Sequence, residues 1–173
     1  MRKVLFSVLL MSLASVALAH GPSRQKVVES VTIKAAPDAV WAKVKDFTKL
    51  QDWHPAIESS TATDGSKVGS VRTLNIKGGG KVIETLEGLS EEDKKYNYRM
   101  KDGGALTVSN YTSTMTVKAG DAAGTTTGEW RGAFYRSYPN NNPPPEQNDE
   151  AAVKAITGVY QTGLANLKKS LEK

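Results

Sequence analysis

The sequence predicts an α+β domain: a curved antiparallel sheet of about seven strands and one long C-terminal helix, with two short helices after the first strand. Three observations carry that prediction. Residues 56 to 136 alternate apolar and polar side chains in short runs broken by glycine- or charge-rich turns, as an antiparallel meander does. Residues 149 to 171 place Ala152, Ile156, Val159, Tyr160, Gly163, Leu164, Leu167 and Leu171 at helical spacing. Between an isolated first strand and the meander, Pro37 to Pro55 holds two tryptophans, a histidine and two short helical signals.

Taken in order, residues 26–34 read as a strand with Val27, Val31 and Ile33 on one face. Pro37 suits a first helical position and Asp38 the first turn, and Val40, Val44 and Phe47 give that helix an apolar side. Thr48 and Gln51 are spaced as a capping box for a second short helix carrying Leu50 and Trp53. Pro55 ends it by pushing His54 toward an extended backbone.

The meander divides into strands at 56–62, 68–77, 80–89, 95–101, 106–118 and 124–136. Gly78-Gly79-Gly80 reads as a hairpin turn, because a phosphate loop opens onto a helix and this one opens onto a strand. Glu91 to Lys95 is a solvated turn. Leu106 and Val108 share one parity while Tyr111, Met115 and Val117 share the other, so a bulge is expected near Ser109-Asn110. Gly128, Trp130, Gly132 and Phe134 share a face, and large residues beside glycines suit a concave surface. Residues 138–145 form a proline-stiffened connector, after which Asn148 or Asp149 starts the long helix. Gly163 lies on that helix's buried stripe, either for close packing or to leave room for a ligand.

The first residues read as a leader. Arg2 and Lys3 precede the apolar run Val4 to Val16, and Ala17-Leu18-Ala19 fits small-residue cleavage. The run is shorter than the roughly 20 residues of a membrane span. The expectation is therefore a periplasmic protein, free of the membrane after cleavage, with a tail at 20–25 and one domain from 26 to 173. Cleavage would expose His20, whose amine and imidazole, with His54, offer three nitrogens to copper; the other reading is a tail without a role. The chain has 173 residues and no cysteine, which excludes thiolate metal sites, a cysteine nucleophile and covalent haem attachment. Cleavage removes two of the cations behind the net charge of +5, and no basic run interleaved with aromatics points to nucleic acid.

This order of elements resembles the START-like, or helix-grip, superfamily (SRPBCC) that includes polyketide cyclases. Local matches are Ala36-Pro37-Asp38-Ala39-Val40-Trp41, Leu50-x-x-Trp53-His54-Pro55, Gly69-x-x-Arg72, Glu84-x-Leu86, Tyr96-x-Tyr98, Asn110-Tyr111, Trp130 and Tyr160-x-x-Gly163-Leu164-x-x-Leu167. Within the superfamily, the exported Trp-His-Pro pattern is similar to the MxaD proteins of methylotrophic bacteria. That resemblance implies a periplasmic accessory role in methanol oxidation, with methanol dehydrogenase and its cytochrome c acceptor as partners. It implies no cofactor. The alternative is a carrier or cyclase-like enzyme for a small hydrophobic ligand.

In such a fold the cavity lies between sheet and long helix, under the short helices. Candidate lining residues are Trp53, His54, Arg72, Glu84, Tyr98, Tyr111, Met115, Trp130, Phe134, Tyr160 and Leu164, with Trp53 and His54 at the mouth. Aromatic core is the other reading for most of them. Arg72 and Glu84 flank the triple-glycine turn closely enough to pair, as a buried ligand-recognising pair or as an exposed ion pair of small value. Any acid–base role would fall to His54 or Glu84, and no nucleophile–base–orienter set is visible.

Overall fold

The computed structural model describes residues 21–102 and 104–172. The leader and His20 lie outside the described residues. Seven antiparallel strands form one sheet in the order β1-β7-β6-β5-β4-β3-β2. They are β1 (Gln25–Ile33), β2 (Ile57–Ala62), β3 (Val71–Ile76), β4 (Lys81–Ser90), β5 (Lys95–Asp102), β6 (Val108–Ala119) and β7 (Thr126–Arg136). Helix α1 (Pro37–Val44) follows β1, and α2 (Asp149–Leu171) closes the chain against β1 and β7. The domain is a helix-grip α+β fold.

The local chemistry explains these elements. Pro37 opens α1, whose buried side is Val40, Trp41 and Val44. The Asn148 side chain accepts from the Ala151 amide and caps α2, and Asp149 and Glu150 complement its dipole. The expected bulge exists: pairing of β6 with β7 shifts between Ser109 and Thr112, and Asn110 takes φ 48°. It returns both halves of β6 to the same face, so Val108, Tyr111, Met115 and Val117 are all buried. The triple glycine turns β3 into β4 with all three residues at positive φ, which glycine alone adopts without strain.

The second short helix differs from expectation. Only one 3-10 turn, Leu50–Asp52, forms, and no side chain caps it. The Thr48 hydroxyl donates instead to Asp46 Oδ1, 2.7 Å away, and that oxygen also accepts the Thr48 amide. That carboxylate takes the Thr48 amide the box would have offered to Gln51, and the turn starts one residue later, with Lys49 at its N-cap. A second unforeseen 3-10 turn, Pro145–Gln147, precedes α2.

Candidate functional site

Pairing of β3 with β4 sets Arg72 directly opposite Glu84, and both side chains point inward. Arg72 is 1% exposed, so the pair is buried rather than superficial. Its Nε donates to Glu84 Oε2 at 2.7 Å and its Nη1 to the Phe47 carbonyl at 3.1 Å. The guanidinium carbon lies 3.9 Å from the Phe47 ring centroid and 5.0 Å from that of Tyr98. Burial opposes the Arg72 charge, but the adjoining Glu84 carboxylate and the Tyr96 and Tyr98 hydroxyls hold its pKa above the ordinary value. Nη2 has no hydrogen-bond partner.

Glu84 lines a cavity of about 110 Å³. Leu50, His54, Ala56 and Ile57 form one wall, Leu74, Ile76 and Val82 a second. Ala105 and Leu106 form a third, and Tyr98, Tyr111, Trp130, Ile156 and Val159 the remainder. Gly80 matters to the third wall, because a Cβ there would lie 2.8 Å from the Ala105 Cβ. The glycine that turns the hairpin thus also lets the β5–β6 connection lie over the cavity.

Next to the cavity the hydroxyl groups form a chain. Ser113 Oγ donates to the Arg131 carbonyl at 2.8 Å, which fixes the direction of the rest. Tyr160 then donates to Ser113 (3.0 Å), Tyr111 to Tyr160 (2.7 Å) and Tyr98 to Tyr111 (3.3 Å). Trp130 Nε1 donates to both Tyr98 and Ser113, at 3.0 Å each. Every hydroxyl proton is spent within the chain. Burial is the largest cause raising the pKa of Tyr98, Tyr111 and Tyr160, so they stay neutral phenols.

Of the eleven candidate residues, His54, Glu84, Tyr98, Tyr111 and Trp130 meet the cavity. Arg72 stands behind Glu84, and Met115, Phe134, Tyr160 and Leu164 are packed core. Trp53 and His54 are not at an open mouth; they are 1% and 2% exposed. Trp53 packs on Trp130, with ring centroids 5.3 Å apart. The His54 ring reaches across to α2, where Nε2 lies 2.9 Å from the Val159 carbonyl, while Nδ1 accepts the Ala56 amide at 3.3 Å. These partners select the neutral tautomer protonated at Nε2, and burial lowers the pKa below 6.5. Both His54 nitrogens are thus engaged by backbone groups.

Gly163 is explained by the same contact. A Cβ there would lie 2.6 Å from His54 Cδ2 and 2.9 Å from Trp130 Cζ3, so close packing is its reason. The apolar cavity walls escaped the sequence reading. Their signal is the ordinary inward parity of strands, which marks a side chain's direction but not whether the space before it is filled.

A family model described as polyketide cyclase / dehydrase and lipid transport matches residues 24–172. The chain belongs to that family. Among solved structures it is similar to XoxI from Bacillus cereus, with 32% identity and a TM-score of 0.73 over 84% of this chain and 94% of that one. An uncharacterised Bacillus thuringiensis protein matches at 31% identity and a TM-score of 0.74, over 86% of this chain and 100% of its own. A Nitrosospira multiformis protein matches at 26% and 0.69, over 85% of this chain and 96% of that one. As a polyketide cyclase/dehydrase-like protein, the chain is a ligand-binding domain with an unusually small free volume, since ligand pockets commonly span about 300–1,000 Å³. Among the described residues, no helix is long and apolar enough to cross a membrane.

Proposed function

We propose that the chain is an exported accessory protein of the methanol oxidation system, assisting methanol dehydrogenase and its cytochrome c acceptor in the periplasm by binding rather than by chemistry. One observation carries the second half of that reading: the proton-carrying groups around the cavity are already committed. His54 spends both nitrogens on backbone partners, the tyrosine hydroxyls donate to one another, and Glu84 is held through Oε2 by Arg72, which leaves it only Oε1 as an acceptor. The Trp53-His54-Pro55 pattern and the leader sequence support the partner and the compartment.

Affinity capture from periplasm of methanol-grown cells tests it. Methanol dehydrogenase or its cytochrome c should co-purify with the tagged protein, and the purified protein should speed electron transfer between the two. Recovery of neither, with an unchanged transfer rate, overturns the reading. A carrier of a small ligand is the second reading, favoured by the residual cavity beside Glu84.

A further inference from the structure

Glu84 has one carboxylate oxygen to spare. Arg72 Nε takes Oε2, whereas Oε1 accepts from no group among the described residues and, unlike Arg72 Nη2, is not sealed from the cavity. Since Glu84 is 4% exposed and lines the cavity, Oε1 is the strong acceptor that this apolar space offers to a guest. The other polar groups there are engaged: His54 is bonded at both nitrogens, and Trp130 donates to Tyr98 and Ser113. A guest must therefore bring one donor and otherwise be apolar.

Size and charge narrow the guest further. A cavity of about 110 Å³ is smaller than the roughly 150 Å³ hole known to admit a benzene ring, which limits the guest to about five heavy atoms. A lipid chain or a polyketide does not fit within that volume unless the walls move. The Arg72–Glu84 pair is already neutral as a whole, so a cationic guest would bring an unbalanced charge into an apolar space beside a guanidinium. A hydroxyl brings a donor without that cost.

We infer that the cavity is a site for a compact neutral alcohol, whose hydroxyl donates to Glu84 Oε1 while its alkyl body lies against Ile57, Val82 and Leu106. The inference rests on the reading of this domain as a binding rather than a catalytic one. It does not require the proposed protein partner.

Three probes of five heavy atoms separate the terms. Butan-1-ol and diethyl ether share one formula and differ in the donor, and butylammonium replaces the hydroxyl with a charge. Methyl NMR titration of the purified protein should show saturable shifts at Ile57, Val82 and Leu106 with butan-1-ol. Its dissociation constant should be at least tenfold below those of diethyl ether and butylammonium. Because Glu84→Gln would strip Arg72 of its counter-ion, Leu106→Trp serves as the variant. It fills the cavity, and should abolish the shifts while the remainder of the spectrum stays folded.

Equal affinity for the ether removes Glu84 as the recognising group, tighter butylammonium binding overturns the neutral assignment, and no saturable shift with any probe overturns the site. A protein that captures methanol dehydrogenase but ignores butan-1-ol sinks this inference alone. Butan-1-ol binding without capture sinks the partner reading alone.

Discussion

The concave face of the sheet has two polar regions built from similar residues and finished differently. Around β6, β7 and α2, Tyr111, Ser113, Trp130 and Tyr160 close into a chain in which each proton has an acceptor, and Tyr160 stacks on Trp130 at 4.5 Å. Around β3 and β4, Arg72 and Glu84 meet through a single contact, leaving Nη2 and Oε1 without a partner among the described residues. Both regions border the cavity, but only the second leaves it an unmatched polar atom. Burial of polar groups thus has two outcomes in this molecule, a satisfied core and a partly satisfied site, and accounting for each donor and acceptor separates them.

The largest break in that comparison should come from the ion pair. Arg72→Met strands the Glu84 carboxylate in an apolar interior and should cost about 3–5 kcal/mol in urea unfolding. Adding Glu84→Leu should recover most of that loss; a double variant as weak as the single one would mean that packing, not stranded charge, governs the site. Next come the glycines of the first region. A methyl at Gly132 runs into the Tyr160 hydroxyl and one at Gly163 into His54 and Trp130, so alanine at either should cost about 1–3 kcal/mol.

Gly158 lies on the same helix with nothing near its Cβ position, so Gly158→Ala should instead stabilise by about 0.5–1 kcal/mol. Opposite signs from two glycines five residues apart in α2 would confirm that contact decides, not helix propensity alone. The smallest effect is a pH slope. Folded His54 resists protonation, so the unfolded chain takes up the proton first and stability falls as pH drops below about 6.5. His54→Gln should flatten that slope. At the other end, burial of the Tyr96 hydroxyl pushes its pKa to about 12, so stability should fall again once pH exceeds 10 and the unfolded chain loses that proton.

The two regions were also unequally legible. Arg72 and Glu84 lie on either side of the triple-glycine turn, so a hairpin register put them within reach of each other, while their burial stayed open until the fold was seen. The parity switch in β6 announced its bulge in the same local way. Trp53 and His54 were misplaced at a mouth because clustered aromatics do not tell a rim from an interior; their burial depends on α2, more than a hundred residues away. The capping box failed for a local reason, since Asp46 competes for the Thr48 amide. Gly163 was legible as an anomaly, and only the approach of His54 and Trp130 gives it a cause.

That notch has a mechanical consequence. With the His54 ring lodged against Gly163 and bonded one turn back at Val159, α2 is keyed to the sheet at one register, as a pin sets a shaft. Sliding the helix by a single residue would drive a side chain into the ring. The α2 side of the cavity is thereby fixed, and a larger guest has to displace another wall, such as the Ala105–Leu106 segment over Gly80.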